Sequence, residues 1–443
     1  MLEIGFLLLF CYGMFLVHPV FWMVVGLVAY LYYQIIKREN RLLGQPYNNL
    51  WLQVFPSLLT GLAGGIMASL LLVIPGFSLD LMGIPLMFIT AILLLLINPR
   101  FLCFAYSVGI VSLLIFAARG LVSFFPGEFP DFVYTLSGIS IPGMLVLVAV
   151  LHLTEALLIF LGGHWGASPI YYREPGKEIM GGFMLQRFWL VPLVLLVAMP
   201  HPPFPVEGPE WWPILESSLI VGAGGVSSIS LIPAPVVMGY SDMAVSSSPR
   251  EKSIYSSVYL AVYGLILLGI AYLAVFNSFW VLPGVIFAPL GHELVVHLGN
   301  RRERNRPFRY RLSSGTGVKI LAVHSRSPAA RAGLKSEDII REVDGVPVYD
   351  NNHFWKLIQG GYFWTYLQVE REGRQKKLVL RRLNRDPTNL RSGLWPLGQA
   401  STTVHSHLGI ILAPDSTTSV YLEAGKYAPL KKIAGWLRSL VRL

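Results

Sequence analysis

The chain has 443 residues, of which 54% are hydrophobic and only 14% charged, against about 25% charged in soluble domains. Its mean hydropathy of +0.56 excludes an ordinary soluble protein and favours a polytopic membrane protein. The two cysteines, Cys11 and Cys103, lie in apolar runs, which argues against a disulfide framework or a cysteine-based zinc site. Residues 300–385 hold 19 of the 35 Lys and Arg, so a basic soluble part is expected after the hydrophobic part.

A helix that crosses the hydrocarbon core needs about 20 mostly apolar residues. Nine segments qualify, near residues 20–36, 54–75, 81–97, 102–125, 139–161, 188–204, 213–240, 255–276 and 279–299. The shorter apolar run 4–16 ends before His18 and Pro19, and is interpreted as an interfacial lead-in or an extension of the first helix. No cleavage site follows a basic N-terminal region, so no removable signal peptide is expected. Residues 1–299 are therefore predicted to form an α-helical multi-pass membrane domain of about nine helices.

Loop charge predicts the orientation of this domain, because cytoplasmic loops are enriched in Lys and Arg. Basic residues occur in loops 37–50, 98–101, 162–187 and 241–254. The intervening loops lack them and carry Asp80, Glu128, Asp131, Glu207 and Glu210. With the N-terminus outside, nine crossings place everything after residue 300 in the cytoplasm. Arg119 is the exception, and is interpreted as snorkelling from within a helix.

Some polar residues lie inside the predicted membrane helices, where such residues are functional candidates. His152 and Glu155 are three residues apart and share one helical face, and Glu216 lies early in another segment. Beside a broken helix, such as the glycine-rich segment 222–235, they would suit a transporter. Interhelical hydrogen bonding is the other explanation, and no paired half-repeat accompanies these residues. A transporter with a regulatory soluble domain is kept as an alternative.

The stretch "GHELVVH" (291–297) begins like the helix of a zinc protease, in which two histidines four residues apart face the ion. His292 and His297 are five apart and diverge by about 140° around a regular helix. "GASP" (166–169) offers Ser168, but in a predicted cytoplasmic loop without a helical histidine to match. We therefore expect no catalytic residue, no metal site, no cofactor and no enzyme activity. An intramembrane protease is the other alternative.

The part that follows begins with a basic run, residues 300–308, interpreted as a linker at anionic lipid. In residues 317–348 an alternating strand precedes Ser327, which can cap a short helix that Gly333 closes. Asp344-Gly345 then marks a turn between strands.

Residues 351–361 read as a second helix, and Glu372-Gly373 turns a closing hairpin. This order and the "SPAARAGL…EDII…VDG" pattern resemble bacterial PDZ domains. The resemblance implies an α+β domain with its core at 309–385, which binds an extended peptide as an added strand.

Two stretches could form the loop that holds the end of the peptide. "SSGTG" (313–317) sits close to the following strand. "HSHLGIIL" (405–412) is favoured, and would return as a strand in the region 404–423 after a connection at 386–403. The predicted peptide-binding residues are those of this loop and of the second helix: Leu408, Gly409, Ile410, His353, Phe354 and Leu357. Ordinary packing of a helix on a sheet is the other explanation for the helix residues.

The tail, residues 424–443, is predicted to be a basic amphipathic helix with Trp436 on its apolar side. Such helices lie on membrane surfaces or dock on a partner, and packing back on the PDZ domain is the alternative. The residues expected at anionic lipid are Lys431, Lys432, Trp436, Arg438 and Arg442. No recognition fold accompanies the basic charge, so no nucleic acid is expected.

A multi-pass domain followed by one PDZ domain resembles the MinJ family of Gram-positive bacteria. The likeness is carried by "HPVFW" (18–22), "RFWLVPL" (187–193), "PEWWP" (209–213), the PDZ core and "HLGII" (407–411). The resemblance implies a membrane adaptor at septa and cell poles. It would link a DivIVA-like scaffold to a MinD-like ATPase and restrain division at poles and used septa.

Overall fold

The computed structural model describes residues 2–98, 101–125, 127–173, 178–199, 206, 212, 228–311, 317–360, 364–381, 408–416, 418 and 420–423. The helices of its N-terminal part are α1 (Leu2–Val17), α2 (Pro19–Leu43), α3 (Leu50–Val73), α4 (Gly83–Ile97), α5 (Phe104–Phe124), α6 (Asp131–Gly138), α7 (Ile141–Gly162), α8 (Pro249–Phe276) and α9 (Val281–Arg304). Within the described residues, six helices are long and apolar enough to cross a membrane, namely α2, α3, α5, α7, α8 and α9. The apolar helices α1 and α4 are shorter. The predicted count of nine membrane helices is not confirmed.

Local signals set the ends of these helices. His18 separates α1 from α2, and its Nδ1 accepts a hydrogen bond from the Val20 amide. Asn49, Ser140 and Ser248 each cap the following helix with a side-chain oxygen. Most side chains of α7 are buried, so this helix lies at the centre of the domain.

Two of the nine predicted helices are wrong in their described parts, because those parts are strands. β3 (Ile179–Met199) and β4 (Ser228–Ala244) pair antiparallel, from Phe183 opposite Ala244 to Met199 opposite Ser228. The segments 188–204 and 213–240 are apolar enough for helices, and apolar runs alone do not separate a buried strand from a helix. Internal prolines do not separate them either: Pro192 lies opposite Pro235 in the strand pair, but helices α3 and α9 also contain internal prolines, Pro56 and Pro289.

The rest of this sheet consists of three short strands at its ends. These are β1 (Ser78–Asp80), β2 (Ser168–Arg173) and β11 (Leu422–Glu423). The strand order is β1-β3-β2-β11, and β4 pairs over its whole length with β3, from Phe183 to the end of that strand. Between the β2 and β1 pairings, one edge of β3 meets helices instead of a strand.

That edge of β3 needs hydrogen-bond partners, because lipid supplies none to a backbone amide or carbonyl. Side-chain hydroxyls of α1, α2 and α3 provide them. The Phe188 amide donates to a tyrosine 3.0 Å away, and the Val194 amide donates to a serine 2.8 Å away. The carbonyls of Phe188 and Pro192 accept hydrogen bonds from the same group of side chains. The four hydroxyls belong to Tyr12, Tyr32, Ser57 and Ser69.

Small residues bring α3 close enough for these contacts. Ser57, Gly61, Gly65 and Ser69 recur every four residues and so share one face of the helix. A Cβ at Gly61 would lie 2.2 Å from the Leu190 carbonyl oxygen, and one at Gly65 would lie 2.2 Å from that of Pro192. Helices in membranes use small residues in this way to approach a neighbouring backbone.

The β3–β4 pair runs along the membrane helices from one end to the other. Near its first end Arg187 donates to Gln53 at the start of α3, over 2.6 Å. Near its far end the Val206 amide donates a hydrogen bond to the Ile229 carbonyl. The Trp212 indole N–H donates to the Val73 carbonyl at the end of α3. Because the pair goes and returns, it could replace the two predicted helices, and the orientation from charge alternation stays a prediction.

Cysteine labelling tests the orientation. We expect a cysteine at Glu128, in the acidic loop after α5, to react with an impermeant maleimide on intact cells. A cysteine at the exposed Lys335 should react only after permeabilisation. The parent chain is the control for Cys11 and Cys103, of which Cys11 is buried. Labelling of the Lys335 position on intact cells would overturn the alternation model.

The soluble part has a six-stranded sheet and two helices. Its elements are β5 (Val318–Val323), α10 (Pro328–Arg331), β6 (Ile339–Val343), β7 (Val346–Pro347), α11 (Asn351–Gly360), β8 (Trp364–Arg371), β9 (Arg374–Arg381) and β10 (Ile410–Leu412). The strand order is β10-β5-β6-β8-β9, with β7 paired to β6. Ser327 caps α10, and Asp344-Gly345 and Glu372-Gly373 turn with positive φ, as predicted.

The basic run after the membrane domain is partly folded into it. Helix α9 extends to Arg304, so the predicted linker 300–308 begins as helix. Glu303 is buried and accepts hydrogen bonds from Ser246 and Tyr255. Arg306 pairs with Glu251 at 2.5 Å. Glu303 and Arg306 therefore attach the end of α9 to the start of α8. The basic run thus has a structural role in addition to the predicted contact with lipid.

The PDZ sheet packs against the membrane domain. Tyr310 meets Phe183 of β3 with ring centroids 5.1 Å apart. Leu321, Ala322, Ile411 and Ala413 are buried in the hydrophobic core that the membrane helices share. β11 then pairs in parallel with β2. β5 is therefore buried on both faces, whereas the sequence predicted a half-buried strand.

Candidate peptide-binding site

The edge strand β10 places the predicted peptide-binding loop beside α11. Gly409 has φ +70°, and its carbonyl accepts a hydrogen bond from the His324 amide at 2.8 Å. The Ala413 amide donates to the backbone carbonyl of Lys319 at 2.7 Å. Since alternate residues of a strand point their backbone groups to opposite sides, those of Ile410 and Leu412 point away from β5. This edge is the one to which an added strand could bond.

The side chains of the loop and of α11 divide between core and groove. Leu408 and Ile410 are buried in the PDZ core together with Phe354, which has no exposed surface. All three were predicted to bind the peptide; the structure places their side chains in the core, and their contact with a peptide stays a prediction. His353 and Leu357 are partly exposed on α11 and remain candidates for the groove wall.

Three hydrogen bonds, from Tyr171 and Asn351, hold the end of β10 and the residues that follow it. The Tyr171 hydroxyl of β2 donates to the Leu412 carbonyl at 2.9 Å. Asn351 donates its side-chain amide to the Ala413 carbonyl at 2.9 Å and its backbone amide to Asp415 at 3.0 Å. Burial raises the pKa of Tyr171 to about 12, so the phenol keeps its proton and remains a donor at neutral pH. One outward acceptor of β10 is thus already used.

Packing and backbone conformation within the PDZ domain require glycine at position 409. A Cβ at this position would lie 2.3 Å from the Cβ of Ser327, and its positive φ disfavours other residues. A large residue at Gly409 would displace the cap of α10 as well as filling the groove. Variants at Gly409 therefore do not separate binding from folding.

His324 joins the PDZ domain to the loop between α2 and α3. Its ring lies 4.8 Å from that of Tyr47, and its Nε2 is buried without a hydrogen-bond partner among the described residues. Burial lowers the pKa of His324 below its usual 6.5, because desolvation disfavours the imidazolium. The folded contact therefore holds the neutral ring.

Acidification should loosen this contact. The unfolded chain takes up the His324 proton at a higher pH than the folded chain does, so the free energy of unfolding decreases as the pH falls through about 6.5 and below. We expect thermal melting of the full chain in detergent to fall more between pH 8 and pH 5.5 in the wild type than in His324→Phe. Replacement of the exposed His297 by alanine is the matched control. Equal pH dependence in wild type and His324→Phe would contradict the assignment.

Several predicted sites fall on residues that the structure does not describe. The tail residues Lys431 to Arg442, Glu216, and residues 313–316 of the alternative loop lie outside the described residues. The predicted connection at 386–403 lies outside them too.

The protease motif does not assemble in the described part of the chain. His297 is exposed, whereas His292 faces α5 and contacts Tyr106. Ser168 is buried and donates to Glu39. His292 instead approaches Cys103 and His152, a grouping that spacing along the chain did not reveal because the three residues come from separate helices.

Comparison with known proteins supports the architecture. A family model described as "PDZ domain" matches residues 319–382. The chain is also 25% identical over 370 residues to the cell division topological determinant MinJ of Bacillus subtilis (strain 168). That alignment covers 81% of this chain and 87% of the relative.

Together these matches support a MinJ-like family assignment. The alignment with MinJ is far longer than the PDZ match, so the likeness includes membrane segments as well. The PDZ match ends before β10, and the structure adds that strand at the edge of the sheet. The chain is thus a membrane protein with a PDZ domain whose candidate binding edge comes from residues beyond the matched range.

Proposed function

We propose that this MinJ-like protein is a cell-division adaptor that captures partner proteins on the cytoplasmic side of the membrane. The observation that carries the proposal is the outward edge of β10, which lies beside His353 and Leu357 and is attached to a multi-pass domain. A strand added to such an edge gains main-chain hydrogen bonds, and neighbouring side chains select it.

The proposed partners are a DivIVA-like scaffold and a MinD-like ATPase, and the proposed location is septa and cell poles. The family resemblance supports this pairing, and the name of the relative refers to cell division. Attachment to the membrane strengthens a weak groove, because confinement to a surface raises the effective concentration of the partners. We propose anionic lipid as a further contact of the basic tail.

A ligand strand that pairs with Leu412 has to replace the Tyr171 hydroxyl. Tyr171→Phe removes that competitor, so we expect retention of the partners on immobilised full-length protein to increase, by up to about fivefold for one hydrogen bond worth about 1 kcal/mol. Tyr366→Phe, at an exposed tyrosine of β8, is the control and should leave retention unchanged. Weaker retention by Tyr171→Phe than by the control would argue against ligand binding at this edge.

A further inference from the structure

Three metal-ligating side chains meet within the membrane domain. Cys103 precedes α5, His152 lies in the middle of α7, and His292 lies in the middle of α9. The Cys103 sulfur is 3.2 Å from His152 Nε2, and the ligand atoms of all three residues lie within 4.8 Å of one another. Tetrahedral zinc, with bonds of about 2.3 Å to sulfur and about 2.0 Å to nitrogen, separates its ligand atoms by roughly 3.3–3.7 Å. The three residues therefore need only a small closure to share one ion.

Hydrogen bonding sets the orientation of the His152 ring. Its Nδ1 lies 2.7 Å from the Val148 carbonyl, which accepts only, so Nδ1 carries the proton. The Nε2 lone pair then points toward Cys103. Metal-bound histidines are usually held in this way, with the second ring nitrogen donating to a carbonyl or carboxylate.

His292 is held by a related chain of contacts. Its Nδ1 is 3.2 Å from the Tyr106 oxygen, and the Tyr106 hydroxyl is 2.6 Å from a carboxylate oxygen of Glu293, to which it donates. The tyrosine oxygen can therefore accept from a protonated Nδ1, and in that tautomer Nε2 is the ring nitrogen that carries a lone pair. The Glu293 carboxylate is connected through Tyr106 to the proposed ligand.

We propose that Cys103, His152 and His292 bind one Zn²⁺ ion that ties α5, α7 and α9 together. Thiolate and imidazole are ligands that zinc prefers, and this site needs one cysteine only. A Cys103 thiolate would offset one of the two positive charges of Zn²⁺, which matters in a low-dielectric interior where a net charge is expensive. A thiol–imidazole hydrogen bond explains two of the residues, and the shared ion explains all three.

Zinc content of the full-length protein tests the site. After exposure to Zn²⁺ and gel filtration in detergent, we expect about one zinc per chain. Cys103→Ser, which preserves size, and His292→Ala should each weaken retention of zinc at least tenfold. Cys11→Ser and His297→Ala are the matched controls, because each changes the same residue type outside the site, and both should keep the ion.

Cobalt gives a second measurement, which reports directly on sulfur bound to the ion. Co²⁺ bound to the wild-type chain should show a thiolate-to-cobalt charge-transfer absorption, which Cys11→Ser should keep and Cys103→Ser should lose. Absence of both zinc and this absorption in the folded wild-type protein would overturn the proposal. Equal zinc retention by Cys103→Ser and the wild type would also overturn it.

Discussion

Gly65→Leu is expected to destabilise the membrane domain severely. The new side chain would occupy the position of the Pro192 carbonyl and force α3 away from β3. Overpacking of this kind typically costs about 1–3 kcal/mol and occasionally more. The shift would also break the contacts of Ser69 and Tyr12 with β3, so we expect a loss at the upper end of that range. The measurement is the fraction of full-length protein that stays monodisperse in detergent after heating.

Gly26→Leu is the control for this experiment. Gly26 also lies within a membrane helix, but a Cβ there meets nothing within 4 Å. The two variants add the same side chain and differ in the close approach to β3. Equal loss of heat resistance in both would show that α3 and β3 do not pack as described.

A chain ending at residue 311 is expected to insert in the membrane but fail to recruit the division partners. It keeps Glu303 and Tyr310, which hold the end of α9 and contact β3, and it loses the whole PDZ sheet. Because the proposed capture edge is β10, partner signal at septa should fall to the level seen without the protein. The measurement is imaging of fluorescent partners, with the positions of division scored in the same cells.

A second truncation, ending at residue 423, serves as the comparison. It keeps β10 and β11 and removes only the predicted basic tail, so its effect should be much smaller, since the membrane helices still anchor the chain. Normal partner position and normal division in cells with the chain ending at 311 would show that the PDZ domain is not the working part.

Local signals predicted much of the PDZ domain. Ser327 and Gly333 bound α10, and the Asp344-Gly345 turn follows β6, because capping and turn chemistry act over a few residues. The burial of Leu321, on the second face of β5, was not predictable in the same way. It comes from the membrane domain, which is distant in sequence, and a strand covered on both faces loses its alternating pattern.

The membrane domain shows the same division between local and distant information. The orientation from loop charge stays a prediction, and the apolar run around Trp189 did not reveal that it was a strand. Pro192 gave no clear signal either, because Pro56 lies inside α3 and Pro289 lies inside α9. The approach of Cys103 to His152 and His292 depends on the packing of three helices, which no spacing within one helix encodes.

The hydroxyls along β3 also bear on how the chain is made. A strand pair with an open edge cannot enter lipid alone, because its free amides and carbonyls would have no partner there. The side chains that serve this edge belong to α1, α2 and α3, all of which leave the ribosome before Ile179. Because synthesis proceeds from the N-terminus, these three helices are made before the strand that they contact. A fragment that begins after α3 would lack these hydroxyls. We expect its β3 edge to stay unpaired, and the fragment to be degraded instead of inserted.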